Sequence, residues 1–169
     1  MTPELDQHIR EKYPRIFSQP CELSVGDGWF DIIDKLCANI QGHIDNTSEH
    51  RERSIQWNKE VNDPDYDWSN RSFIKREERK VYDLIDQVVA TQVKEKFGTL
   101  RFYYHGGDDY IRGLDAMAES MSAVICEECG CPGKIRNRKN GQKYTWIRTL
   151  CDNHAYEFGY IEDEDSTSQ

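Results

Sequence analysis

A chain of 169 residues, 37% apolar and 31% charged, has room for one ordinary domain, or for one domain and a small metal-held lobe. Its 4 Trp, 9 Tyr and 6 Phe exclude a wholly disordered chain, and no apolar run approaches the roughly 20 residues that a membrane span needs. The net charge of −9 excludes a protein that coats nucleic acid along its whole surface, because such proteins are basic.

In chain order, Thr2-Pro3-Glu4 reads as a helix start, with proline at the first helical position. The helix is expected to reach Tyr13, ahead of Pro14. Its polar, acidic first ten residues do not resemble a signal peptide. A loop over residues 17–27 leads to Asp27, the expected N-cap of a long helix over about 28–60. Trp29, Ile32, Ile33, Leu36, Cys37, Ile40 and Ile44 share one face of it. Cys37 lies on that face and reads as a core thiol, while His43 reads as a surface residue.

Asn62-Asp63-Pro64-Asp65 ends the pattern. Arg71–Ile85 carries Ile74, Val81, Tyr82 and Ile85 among alternating charges and is expected to form a second, salt-bridged helix. The period then changes to two. Residues from Gln87 and the run Thr99–Tyr104 predict an antiparallel hairpin over about 87–104 that turns at Phe97-Gly98. Asp108 caps the next helix, over about 108–125, where Ile111, Leu114, Ala118, Met121 and Ile125 recur at three and four. Its methionines read as core filler.

Cys126-Glu127-Glu128-Cys129-Gly130 is a Cys-x-x-Cys knuckle, and Cys151-Asp152-Asn153-His154 follows 21 residues after Cys129. Two closely spaced ligand pairs around one hairpin-sized segment are the spacing of a structural zinc site. A hairpin with Asn140-Gly141 at its turn and a short helix from Cys151 would complete a treble-clef-like finger. One structural Zn²⁺ on Cys126, Cys129, Cys151 and His154 is therefore expected, with Cys131 as a spare thiol. Four of the six cysteine positions fit this cluster or lie beside it, so reduced thiols in a cytosol are expected rather than a disulfide framework. The fold class expected is α+β: N-terminal helices on an antiparallel hairpin in a body over 1–125, a zinc lobe over 126–160, and an acidic disordered tail over 161–169.

Three stretches carry a resemblance: Gly26-Asp27-Gly28-Trp29-Phe30, the run Gln92-Val93-Lys94-Glu95-Lys96-Phe97-Gly98-Thr99-Leu100-Arg101-Phe102-Tyr103-Tyr104, and Ala118–Ser122 leading into the Cys-x-x-Cys and Cys-x-x-His pairs. With them the chain resembles a widespread set of phage and prophage proteins over roughly Trp29 to His154. The resemblance implies a phage-type origin and a host-cell cytosol, and it brings no activity with it.

The charge is unevenly spread: −7 over residues 1–125, +3 over 126–154 and −5 over 155–169. Lys134, Arg136, Arg138, Lys139, Lys143 and Arg148, with Tyr144 and Trp146 as stacking platforms, are therefore candidate nucleic-acid contacts. A metal-dependent nuclease is disfavoured, because the lobe's only histidine serves the zinc. His105 with Asp108 and Asp109 is better explained as a helix cap than as a Mg²⁺ site. A non-enzymatic protein that binds a host protein, in a regulatory or anti-defence role, is the leading expectation. Nucleic-acid binding is the alternative, and no membrane partner is expected.

Overall fold

The computed structural model describes residues 1–71, 75–137 and 146–160. It is a mixed helix-and-strand structure with a small sheet and a C-terminal Cys/His cluster. Its elements are α1 (Pro3–Lys12), β1 (Glu22–Ser24), a 3₁₀ turn (Asp27–Trp29), α2 (Phe30–Asn62), β2 (Val89–Lys96), β3 (Thr99–His105), α3 (Asp109–Ser122), β4 (Lys134–Asn137), β5 (Ile147–Leu150) and α4 (Asp152–Glu157). None of the described helices is long and apolar enough to cross a membrane.

The main sheet runs β1-β2-β3, with β2 and β3 antiparallel and β1 parallel to β2. The expected loop over 17–27 therefore contains a strand, in which Leu23 pairs with Val93. Three residues are too few to show a period, and the partner strand lies far along the chain. The hairpin turns through Phe97 (φ 55°) and Gly98 (φ 80°), two successive positive-φ residues as in a type I′ turn. One core joins α1, α2, α3 and the sheet. Trp29, Ile33, Cys37 and Ile40 from α2's approach and face meet Ile9, Val93, Leu100 and Ile111 there. Burial drives the Cys37 thiol far above its usual range, as a packed, unreactive thiol requires.

Four further expectations change. Asp27 does not cap α2: its carboxylate accepts the Thr2 N–H at 2.6 Å, which ties the start of α1 to the turn before α2. The expected helix over 71–85 is absent from the described part, 75–85, which has no regular structure; residues 72–74, including Ile74, lie outside the described residues. This segment is held along the far half of α2, whose side chains satisfy its backbone. Trp57 Nε1 donates to Glu77 O at 2.8 Å, and Asn58 bonds both the N–H and the C=O of Arg79, at 2.7 and 2.8 Å. Backbone groups satisfied in this way leave little to gain from a helix.

The third change is the length of α3, which ends at Ser122. Ile125 instead bridges to Pro132, antiparallel, so the helix does not run straight into the knuckle. Fourth, the methionines of α3 are not core filler, because Met117 is 55% exposed and Met121 44%. The buried residues of α3 are Ile111, Ala118 and Ser122 instead, and the Ser122 hydroxyl accepts the Leu100 N–H of β3. The expected Asn140-Gly141 turn and the acidic tail over 161–169 lie outside the described residues.

Candidate metal centre

The cluster is built by three local structures. The knuckle Cys126–Gly130 closes on itself through Gly130 N–H to Cys126 O at 2.9 Å, with Gly130 at φ 74°. Strand β5 delivers Cys151, which occupies the N-cap position of α4. The first turn of α4 then brings His154 back to Cys151. The ligand atoms of Cys126, Cys129, Cys151 and His154 all lie within 4.8 Å of one another. His154 Nδ1 is 3.4 Å from Cys126 Sγ and 3.3 Å from Cys151 Sγ, and Cys129 Sγ is 3.8 Å from Cys151 Sγ. A disulfide needs about 2.05 Å, so these are separate thiols gathered around one point. Such a set could hold a metal ion.

Cys126 is fully buried, while Cys129 is exposed. Burial opposes a thiolate at Cys126, but the backbone N–H groups of Cys151, Cys129 and Glu128 and the His154 ring outweigh it and bring the thiol down to about 7. A thiol near neutrality gives up its proton to a metal readily. Cys131 stays outside the set: it is exposed, and its role is through its carbonyl, which accepts the Cys126 N–H at 2.7 Å.

Two residues lock the lobe: Glu127, to which the sequence assigned no role, and Arg148, expected there only as a nucleic-acid contact. Glu127, buried between the two knuckle cysteines, accepts both Nε and Nη2 of Arg148 at 3.1 Å on one oxygen and the Gly26 N–H at 3.1 Å on the other. Arg148 also pairs with Glu128 and lies over the Phe158 ring, which stacks on His154. The only signal for this in the sequence was an acid placed inside an otherwise compact turn.

The Gly26-Asp27-Gly28-Trp29 stretch is the other half of the lock. Gly28 N–H donates to Glu127 O at 2.7 Å. A Cβ on Gly28 would lie 2.2 Å from Cys126 O and 2.4 Å from Gly130 N, so no side chain fits there. On the hairpin side, the Thr149 hydroxyl donates to Gly98 O at 2.5 Å.

The candidate nucleic-acid residues separate. Arg136 pairs with Asp152, and Arg148 pairs with Glu127 and Glu128, so both positive charges are answered internally. Lys134 is exposed, and Trp146 is 68% exposed. Arg138, Lys139, Lys143 and Tyr144 lie outside the described residues. Trp146, Tyr156 and Phe158 line an open groove of about 1010 Å³ between lobe and sheet, together with Lys94, Arg148 and Glu157.

His105, Asp108 and Asp109 do not converge. His105 is exposed, and Asp109 pairs with Arg112. Asp108 caps α3 by accepting the Ile111 N–H at 3.1 Å and holds His43 at 2.9 Å. His43, expected at the surface, is half-buried in this contact and against Tyr110. Comparison with protein-family models, with curated proteins and with solved structures gives no match.

Proposed function

We propose that the chain is a non-enzymatic, zinc-stabilised binding protein whose treble-clef-like lobe presents an aromatic groove to a partner protein. The donor set supports zinc. A tetrahedral ion at about 2.3 Å from sulfur and about 2.0–2.1 Å from nitrogen sets S···S edges of ~3.8 Å and S···N edges of ~3.6 Å. Three of the six edges here are 3.8, 3.4 and 3.3 Å, and all six lie within 4.8 Å. Three thiolates and an imidazole fill all four positions, which is the composition of a structural site. In a nuclease His154 would have to serve as base, yet its Nδ1 points into the donor set.

The observation that carries the binding role is the groove. Trp146 and Tyr156 stand 68% and 55% exposed on its wall beside Arg148, and Trp, Tyr and Arg are the residues that dominate binding energy at protein interfaces. In the host-cell setting that the phage-type motifs imply, a host protein is the expected partner. Nucleic-acid binding is the second reading, supported by Lys94 in the groove's lining and by the exposed Lys134 of β4. Affinity capture from host lysate, with and without nuclease, tests both. The protein reading expects a stoichiometric partner that survives nuclease and is lost in the Trp146→Ala, Tyr156→Ala double variant. Capture that disappears with nuclease would transfer the conclusion to nucleic acid.

A further inference from the structure

We propose that α3 is a homodimer interface, in which two copies of the chain pack their α3 helices antiparallel with Met117 at the two-fold axis. Tyr110, Leu114, Met117 and Met121, followed by Val124 just past the helix end, recur at four, three, four and three. That is the spacing of a coiled-coil seam. The seam borders the face that packs on the body, where Ile111, Ala118 and Ser122 are buried: Leu114 touches the core, Tyr110 lies against His43, and Met117 and Met121 edge the cleft toward α2. Tyr110 is 55% exposed, Met117 55%, Met121 44% and Val124 61%, and Leu114 is half-buried. Beside the seam an apolar cleft of about 190 Å³, floored by Ile32, Leu36 and Ala118, opens between α2 and α3.

A second copy is the occupant that fits. The apolar order is close to palindromic about Met117. In an antiparallel pair Tyr110 faces Val124 of the second copy, Leu114 faces Met121, and Met117 faces itself, which is the self-complementarity an isologous interface requires. The flank is made of Gly113 and Ser120, which meet each other across the axis and let the backbones approach. Charge points the same way. Arg112, Asp115 and Glu119 lie on the side of α3 away from the seam, Arg101 of β3 pairing with Glu119, and the cleft's rim holds one acid, Asp31, and one base, Lys35. A chain of net charge −9 repels its own copy through most of its surface, so self-association needs a neutral face of this kind.

Sedimentation equilibrium of the zinc-loaded full chain tests this. The wild-type chain is expected at twice its 19.9 kDa, with association strengthened by added salt as the like charges are screened. Met117→Glu and Met117→Lys, each alone, place like charges together at the axis and are expected to weaken association by roughly tenfold or more. Mixed in equal amounts, the two variants are expected to restore the dimer. Far-UV circular dichroism and zinc content are read on each variant, and Ser120→Glu or Ser120→Arg on the exposed flank replaces the Met117 variant of the same sign if that one misfolds. A monomeric wild type, a dimer untouched by these substitutions, or a mixture that stays monomeric overturns the proposal.

Discussion

The fully buried indole of Trp29 donates to the carbonyl of Ile125 at 2.8 Å, across 96 positions of sequence. This bond and the Gly28–Glu127 contact set the entrance of α2 directly against the first residues of the knuckle. The Cys/His lobe is thereby seated on the body by backbone as well as side chain.

Removal of the metal should therefore open the lobe and loosen its seat. Binding at small structural zinc sites contributes roughly 10–16 kcal/mol at neutral pH, more than β4, β5 and the six-residue α4 supply alone. One zinc per chain is expected in the wild type. Cys151→Ser should lose most of it, together with the hydrogen-exchange protection of β5. Cys131→Ser, outside the donor set, should keep a full equivalent. Full metal content in Cys151→Ser by elemental analysis would remove these four residues from consideration.

Gly28→Ala should destabilise the chain by about 1–3 kcal/mol or more, because the added methyl meets knuckle backbone rather than a yielding side chain. Gly42 gives the internal contrast. It sits inside α2 with nothing within 4 Å of a Cβ, so Gly42→Ala should stabilise by about 0.5–1 kcal/mol. Urea midpoints of the two variants moving in the same direction would contradict this account of the glycines.

Asp34 is buried and accepts Lys12 at 2.7 Å and the Tyr13 hydroxyl at 2.8 Å. Burial opposes its charge, but Lys12, Tyr13 and Lys35 outweigh burial and hold its carboxyl below the usual carboxylate range. A depressed folded value contributes stability above the unfolded value of about 3.9, and that stability is lost as pH falls through the folded value. Asp34→Ala should lower stability by about 1–2 kcal/mol at neutral pH, because the charge-assisted bond from Tyr13 to the carboxylate is lost while Tyr13 keeps its bond to the residue-34 carbonyl at 2.9 Å. The gap to wild type should narrow in acid, and chemical denaturation at both pH values measures it.

Asp115 has the opposite sign. Burial, then the like charge of Glu119, push its carboxyl up to about 6 against the pull of Arg101. The folded state thus favours the protonated form. Its contribution is intact below about pH 3.9 and gone once pH has risen through about 6. At neutral pH the ionised side chain is a liability, and Asp115→Asn should stabilise by about 1 kcal/mol, discounted for its partial exposure. Thermal melts should separate the two proteins at neutral pH and converge near pH 4. A constant difference across that range would exclude Asp115 as the source.

The local features were legible from the residues alone. The Trp29–Ile44 face of α2, the Phe97-Gly98 turn, the Asp108 cap and the two cysteine-containing pairs each depend on spacings of a few residues, which periodicity and turn chemistry report directly. Features whose free energy comes from distant partners were not legible. Residues 75–85 carry a helical pattern of charges, yet Trp57 and Asn58 of α2 bond their backbone at Glu77 and Arg79. Strand β1 exists because β2 offers it an edge, and Asp27 turned toward Thr2 rather than toward α2.

The knuckle shows the division most clearly. Its ligand spacing was determined by the sequence, because four donors around one ion need little beyond two tight turns. Its seat was decided by the tertiary structure. Gly28, Trp29, Glu127 and Arg148 bear on the lobe only once α2 and β5 are packed beside it, since hydrogen bonds and close approach between remote segments leave no period in the chain.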